Sequence, residues 1–315
     1  MSKTPPSSSI KEWIKAARLR TLPLSLSGVI LGGLMAKWKL NSIAEPWDIS
    51  VFVWALVVTL LYQVLSNYAN DYGDGVKGTD KKRISEAEGR AVASGKISAN
   101  QMRNAVILVS ILALVFTLIL LYKAFFPGYM QALGVFVVLG ILAILAAIGY
   151  TVGKRPYGYM GFGDIFVFIF FGWLSVMGTY YLFTKNFDAL MLLPATAIGL
   201  FSVAVLNLNN MRDMHTDQQS GKHTLALKMG FKKAMVYEII LLQLPLILIL
   251  VYMMINEIRS YYAYIFVILF FPMMALRRRI IAVKQPKELD PYLKQVAIMC
   301  FVMSLLVGIG LNLIH

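Results

Sequence analysis

Apolar stretches of about 20 residues recur from one end of this chain to the other, and a helix of that length is what the hydrocarbon core of a bilayer demands. Nine stretches can be read, at 21–38, 49–70, 100–122, 130–150, 162–183, 189–209, 233–255, 261–276 and 293–313, the eighth being the shortest. Inside a bilayer no water satisfies backbone N–H and C=O groups, so repeated runs of this length select helices over open sheets. The composition agrees: 58% of residues are hydrophobic and 15% charged, where a soluble domain carries about 25% charge. The expectation is an all-α fold, a polytopic membrane bundle of nine transmembrane helices. It forms one domain over 21–315 behind a cytoplasmic segment 1–20. That polar leader precedes the first span without a small-residue cleavage site, so the span is expected to stay uncleaved. The single Cys300 excludes an intrachain disulfide and a thiolate metal cluster.

The basic residues orient the bundle. Lys and Arg are enriched in cytoplasmic loops. With alternate loops assigned to one side, all but five of the 30 Lys and Arg fall together; the exceptions are Lys37, Lys39, Lys123, Lys185 and Arg259. The N-terminus is therefore expected in the cytoplasm and the C-terminus outside. Topology and anionic lipid heads account for most of the net charge of +14. Nucleic acid is not implied as a partner.

Only 16 residues are Asp or Glu, so their placement is informative. One group, Asp71, Asp74 and Asp80, is expected to follow the second span. Another, Asp213 and Asp217, is expected to follow the sixth. Both lie on the cytoplasmic side in asparagine-rich sequence: Asn67-Tyr68-Ala69-Asn70-Asp71-Tyr72-Gly73-Asp74 and Asn207-Leu208-Asn209-Asn210-Met211-Arg212-Asp213. At about 100° per residue, Asn67, Asn70, Asp71 and Asp74 share one helical face, as do Asn209, Asn210, Asp213 and Asp217. A helix C-terminus carries partial negative charge and disfavours clustered acids unless a cation joins them. Carboxylate and amide oxygens without His or Cys suit a hard ion, Mg2+ above all, completed by water and substrate phosphate.

Bases surround these acids: Lys77, Lys81, Lys82 and Arg83 after the first group, Lys222 after the second, and Lys154 and Arg155 in the loop between the fourth and fifth spans. Acids that hold metal beside bases that hold phosphate oxygens fit a Mg2+-diphosphate group. No glycine-rich nucleotide loop is present. A diphosphate site opening between membrane helices suits a substrate with an apolar tail, and a polyprenyl diphosphate is such a molecule. Metal and bases would neutralise the departing diphosphate as its C–O bond breaks. An electron-rich ring carbon of an acceptor would then attack the allylic cation.

At these motifs the chain resembles the UbiA superfamily of intramembrane prenyltransferases, and most of all its branch that prenylates 1,4-dihydroxy-2-naphthoate. The matching stretches are Arg20-Thr21-Leu22-Pro23, NYANDYGDGVKGTD (67–80), RAVASGKIS (90–98), YTVGKRPYGYMGFGD (150–164) and NNMRDMHTDQQSGKHTLA (209–226). They cover about 20 to 230 in order; the remainder matches in hydropathy alone. The resemblance implies a UbiA-type bundle with a cytoplasmic active site capped by loops 71–99 and 210–232. It implies Mg2+ held by Asn70, Asp74, Asn209 and Asp213, with Asp71, Asp80 and Asp217 as catalytic carboxylates. Substrate contacts would come from Asn67, Lys77, Arg155, Lys222 and Tyr150. Gly78 stands where the superfamily commonly has its third acid, and Asp80 lies two residues beyond. The implied reaction replaces the ring carboxylate of 1,4-dihydroxy-2-naphthoate with the prenyl group, releasing CO2 and diphosphate and giving demethylmenaquinone. The cell inner membrane is the expected location, lipid the surroundings, and no protein partner is required.

Two other readings remain open at this level: another aromatic acceptor such as 4-hydroxybenzoate, and a secondary transporter. The second fits less well, because transporters place ionisable groups near the midplane and these acids cluster at helix ends. Among smaller features, Ser98 and Gln101 form a capping-box pattern. Asp164 is either an acid near the aromatic residues 157–173 or a helix N-cap, and Glu238 is expected to snorkel or to face the bundle.

Overall fold

The computed structural model of the chain describes residues 9–78 and 90–314, and these form helices joined by turns and short loops, with no strand among them. Seven helical runs are long and apolar enough to cross a membrane: Ile49–Lys77, Ala99–Phe125, Met130–Gly149, Gly163–Thr184, Ala189–Arg212, Phe231–Ile255 and Pro286–Asn312. The two other expected spans are helical as well. Leu22–Asn41 is diluted by serine, glycine, Lys37 and Lys39. The eighth begins as a tight 3-10 stretch, Tyr261–Leu269, and continues as Phe270–Ile281, which carries Arg277, Arg278 and Arg279. By length and composition seven of the nine expected runs qualify as crossings among the described residues, and the other two are helical without meeting that measure.

Burial ranks the helices. The run Ala189–Arg212 is the central post, with 61% of its apolar window buried, against 11% for Met130–Gly149 at the periphery. Around the post pack Leu22–Asn41, Phe231–Ile255 and Asp290–Asn312, in a core holding Leu31, Phe201, Leu208, Ile249 and Met303. Outward faces stay apolar: Ile107, Leu108, Ile111, Val115, Leu118 and Ile119 are all exposed on one helix. Water would not tolerate a patch of that extent, whereas lipid tails solvate it.

Three local features position the site. The 29-residue helix Ile49–Lys77 starts where Asp48 accepts the Ser50 N–H (2.8 Å) and stops at Gly78, whose φ of 73° suits only glycine readily. It runs two turns past the expected end of the second span, so Asp71 and Asp74 lie within the helix rather than after it. The polar residues can remain helical there because they face protein rather than lipid. In Gly163–Thr184 the segment Phe168–Leu174 widens into a π-helical turn. Gly172 in that turn sits so close to the central post that a Cβ would fall 2.6 Å from the Gly199 Cα. The expected capping box of Ala99–Phe125 is formed, with Ser98 Oγ accepting from Gln101 N (3.2 Å) and Gln101 Oε1 accepting from Ser98 N (2.9 Å).

Candidate active site

Segments that are far apart in sequence converge on one cavity of about 430 Å³. Its mouth is polar. Arg18 comes from the N-terminal side, and Asn67, Asn70 and Asp74 come from the helix Ile49–Lys77. Arg90 follows that helix, and Tyr159 belongs to the loop after Met130–Gly149. Asn209, Asp213, Asp217 and Lys222 come from the end of the central post and the turns beyond it, and Asp290 and Lys294 from the start of the last helix. The interior is apolar, walled by Leu24, Val58, Leu120, Phe136, Phe170, Phe171, Leu174 and Leu182. The π-helical turn supplies three of these side chains, Phe170, Phe171 and Leu174.

Asp74 is the hub of the mouth. It is 2% exposed, and a carboxylate so deeply buried needs compensation. Its Oδ2 accepts from Lys222 Nζ (3.1 Å) and Arg90 Nη1 (3.2 Å), and its Oδ1 accepts from the Tyr159 hydroxyl (2.7 Å). Lys222 and Arg90 also present charge to the cavity they line. Opposite, Arg212 grips Asp213 with Nε (2.8 Å) and Nη2 (2.9 Å), donates to Asn209 Oδ1 (2.8 Å), and pairs with Asp290. The two asparagine–aspartate stretches thus face one another across one opening.

The sequence-derived residues divide into three groups. Asn67, Asn70, Asp74, Tyr150, Asn209, Asp213, Asp217 and Lys222 all line the cavity. Asn67 also ties its helix to the N-terminal segment by donating to the Ala17 carbonyl (2.8 Å), and Asn70 Oδ1 accepts from Thr151 Oγ1 (3.3 Å). Asp71 is fully buried and turned elsewhere. Its Oδ2 accepts from Ala91 N (2.9 Å) and its Oδ1 from Val92 N (3.2 Å), which fixes the segment that carries Arg90. Lys77 and Arg155 line a separate depression that shares Tyr159 with the cavity. Asp80, Lys81, Lys82 and Arg83 lie outside the described residues.

Arg90, Tyr159, Arg212 and Asp290 were not singled out as site residues by sequence reasoning. Arg90 opens the RAVASGKIS stretch and Tyr159 lies within YTVGKRPYGYMGFGD, so membership of those motifs was the available signal. Arg212 could have been noticed one turn after Asn209. Asp164 does not act as an N-cap: no side-chain cap bond is made, and its buried Oδ1 has no hydrogen-bond partner in the structure. Glu238 faces the bundle and accepts from Asn207 Nδ2 (2.9 Å). Burial pushes the Tyr157 phenol above its ordinary range, so it remains a neutral donor to the Ala146 carbonyl (2.8 Å).

The donor set at the mouth is made of oxygen atoms, as hard cations prefer. Among the described residues no three His, Cys, Asp or Glu gather into a cage that could hold a metal unaided. The residues fit Mg2+ in the manner expected for that ion, with few protein carboxylates and the remaining positions left to water and substrate phosphate.

A multi-pass helical membrane protein with a charged clasp over an apolar cavity is built to hold an amphiphile, its anionic head at the clasp and its tail in the bundle. The chain belongs to the UbiA prenyltransferase family, which matches residues 26–298. It is 41% identical over 306 residues to the 1,4-dihydroxy-2-naphthoate octaprenyltransferase of Haemophilus influenzae, covering 96% of each chain. It is 39% identical to the Escherichia coli protein of that name, over 90% of this chain and 88% of the relative. Among solved structures, a UbiA homolog from Archaeoglobus fulgidus bound to DMAPP and Mg2+ shares the fold, with a TM-score of 0.60 at 13% identity over 95% of this chain and 99% of that one.

Proposed function

We propose that the protein transfers a polyprenyl group from polyprenyl diphosphate to 1,4-dihydroxy-2-naphthoate, releasing CO2 and diphosphate and giving demethylmenaquinol, the reduced form of demethylmenaquinone. The observation that carries this reading is the Lys222–Asp74 pair at 3.1 Å, which joins the two acid-rich stretches over an apolar cavity. The names of the two bacterial relatives support the choice of acceptor.

Mg2+, when bound by Asn70, Asp74, Asn209 and Asp213, would supply positive charge to the diphosphate, with the Asp217 carboxylate beside it. Arg90 and Lys222 hold the remaining phosphate oxygens and offset the charge that develops as the C–O bond breaks. Tyr159 and Arg212 hold Asp74 and Asp213 in place. The apolar walls exclude water from the allylic cation, and Phe170 and Phe171 offer ring faces to it. The ring carbon bearing the carboxylate forms the new C–C bond; as CO2 leaves, the electron pair of the broken C–COO− bond returns to the ring and restores its aromaticity, and both phenolic hydroxyls are retained in the quinol product.

In this reading residues 21–315 form one domain in the cytoplasmic membrane, with 1–20 and the segments 71–99 and 210–232 on the cytoplasmic side and the C-terminus outside. The test is to incubate purified protein with octaprenyl diphosphate, Mg2+ and 1,4-dihydroxy-2-naphthoate, beside 4-hydroxybenzoate as a competing acceptor, and to weigh the products. Prenylated, decarboxylated naphthoquinol that disappears on chelation of Mg2+ is the expected result. Prenylated 4-hydroxybenzoate alone, or no product with any acceptor, would overturn it.

A further inference from the structure

A second depression shares Tyr159 with the cavity and is lined by Lys77, Lys154, Arg155, His223 and Lys228 among others; among the described residues its wall holds no Asp or Glu. A bias toward cytoplasmic lysine and arginine accounts for the side on which Lys77, Lys154, Arg155 and Lys228 lie, but not for their convergence from three separate segments. Two of them, Lys77 and Lys228, are tied in place. Lys77 Nζ donates to the Thr151 carbonyl (3.0 Å) and lies 4.5 Å from the Tyr159 ring centre. Lys228 Nζ donates to the Met160 carbonyl (3.1 Å), and the His223 backbone N–H donates to the Tyr159 carbonyl (2.9 Å), so the loops that carry the cations are fastened together. Gly161 makes that fastening possible. Its φ is 89°, and a Cβ there would lie 2.9 Å from Lys228 Nζ and 2.6 Å from the His223 carbonyl oxygen. Four cationic side chains lining one depression attract an anion electrostatically.

Tyr159 belongs to both walls. Its hydroxyl holds Asp74, and Lys222 on the cavity side stands 4.7 Å from its ring centre. One side chain is therefore common to the clasp and the outer depression.

We propose that this depression is a second anion site, distinct from the cavity, that takes a phosphate-bearing group. Clustered ammonium and guanidinium donors match phosphate oxygens. Two sources share that chemistry: the diphosphate leaving the cavity past Tyr159, and the headgroup of an anionic lipid. Only the first rests on the prenyl-transfer reading.

The experiment is calorimetric titration of inorganic diphosphate, without Mg2+, into the full-length protein in phosphatidylcholine nanodiscs. The wild type should bind at two sites. K154Q/K228Q should weaken one of them by at least roughly tenfold, the scale expected for losing charge-assisted hydrogen bonds, and leave the other intact. K154R/K228R should restore it, which separates lost charge from lost folding. K222Q should weaken the other site. Repeating the titration with phosphatidylglycerol in the disc assigns the source: competition at the outer site identifies the lipid headgroup, and unchanged binding identifies soluble diphosphate. A single site abolished by K222Q, or a second site indifferent to K154Q/K228Q, would overturn the proposal. Absence of prenyl transfer would appear in the turnover assay and leave this titration unaffected.

Discussion

Lys222 and Asp74, 148 residues apart in the chain, are joined by a hydrogen bond of 3.1 Å at the mouth of the cavity. The contact closes the clasp. It comes from the turn after the central helix and reaches a carboxylate on the second long helix, so neither segment forms the head site alone. Asp74→Asn and Lys222→Gln are each expected to lower turnover by at least about 100-fold at saturating Mg2+, the scale of removing one electrostatic contact to a reacting group. Because the two act as a unit, the double variant should lose little more than the worse single variant. Product formation by the four proteins checks this, and strictly multiplicative losses would separate the two roles.

Asp71 is expected to behave differently from its neighbour Asp74. Both of its oxygens accept backbone N–H groups, from Ala91 and Val92. Asp71→Ala would strand those donors, at about 1–3 kcal/mol for each buried group left unsatisfied. The thermal midpoint in detergent should fall by several degrees, and activity should fall with it as the Arg90 segment loosens. Asp71→Asn keeps one acceptor oxygen and should fall less. Loss of turnover at an unchanged midpoint would instead make Asp71 a group that acts on the substrate.

The spans, the family and the two acid-rich stretches were legible in the sequence because each follows from a strong local rule. The bilayer fixes the length of apolar runs, and an acid in so apolar a chain stands out. What was not legible depends on contacts between distant segments. The helix Ile49–Lys77 continues through its polar residues because Thr151, Ala17 and Ala91 meet them from elsewhere in the chain. Nothing in the local sequence says that Tyr159 would bond Asp74 across 85 residues, or that Arg212 would claim Asp213 and Asp290 together. The π-helical turn at Phe168–Leu174 depends on the approach of Gly172 to Gly199, which periodicity does not reveal. Lys77 and Arg155 were grouped with Lys222 as substrate contacts on the resemblance, whereas in the structure Lys222 lines the cavity and the other two line the neighbouring depression.

Gly178 offers a test of the tail-binding role of the interior. It lines the cavity, and a Cβ there would meet Leu174 Cδ1 at 3.6 Å and Phe136 Cε1 at 3.7 Å, ordinary contact distances. Gly178→Ala should therefore be tolerated, whereas the ring of Gly178→Phe has to enter the cavity. The expected result is a KM for octaprenyl diphosphate raised by roughly tenfold or more, the scale of a pocket rejecting excess bulk. The KM for geranyl diphosphate should change little, because a short tail stops before the obstruction. Steady-state kinetics with both donors measure the ratio, and equal effects on the two would place the tail elsewhere.

Lys185, beyond the clasp and just past the helix Gly163–Thr184, gives the stability a predictable pH dependence. Burial among the Phe125 and Tyr129 rings holds its pKa down to about 8, a shift that the charge of Asp48 only partly opposes. The unfolded chain protonates this amine near its ordinary value of 10.5. Between about 8 and 10.5 the unfolded state therefore binds more protons than the folded state, and stability rises with pH across that window. Below about 8 both states are protonated, and the folded protein carries the whole cost of the buried ammonium. Lys185→Gln removes the titrating group and keeps a polar side chain at this left-handed position (φ 54°). Thermal midpoints of wild type and variant, measured in detergent from pH 7 to pH 10, isolate the effect from other titrating groups. The wild-type midpoint should climb relative to that of the variant as pH increases, and a difference that stays flat or shrinks would show that the ammonium is solvated in the folded protein.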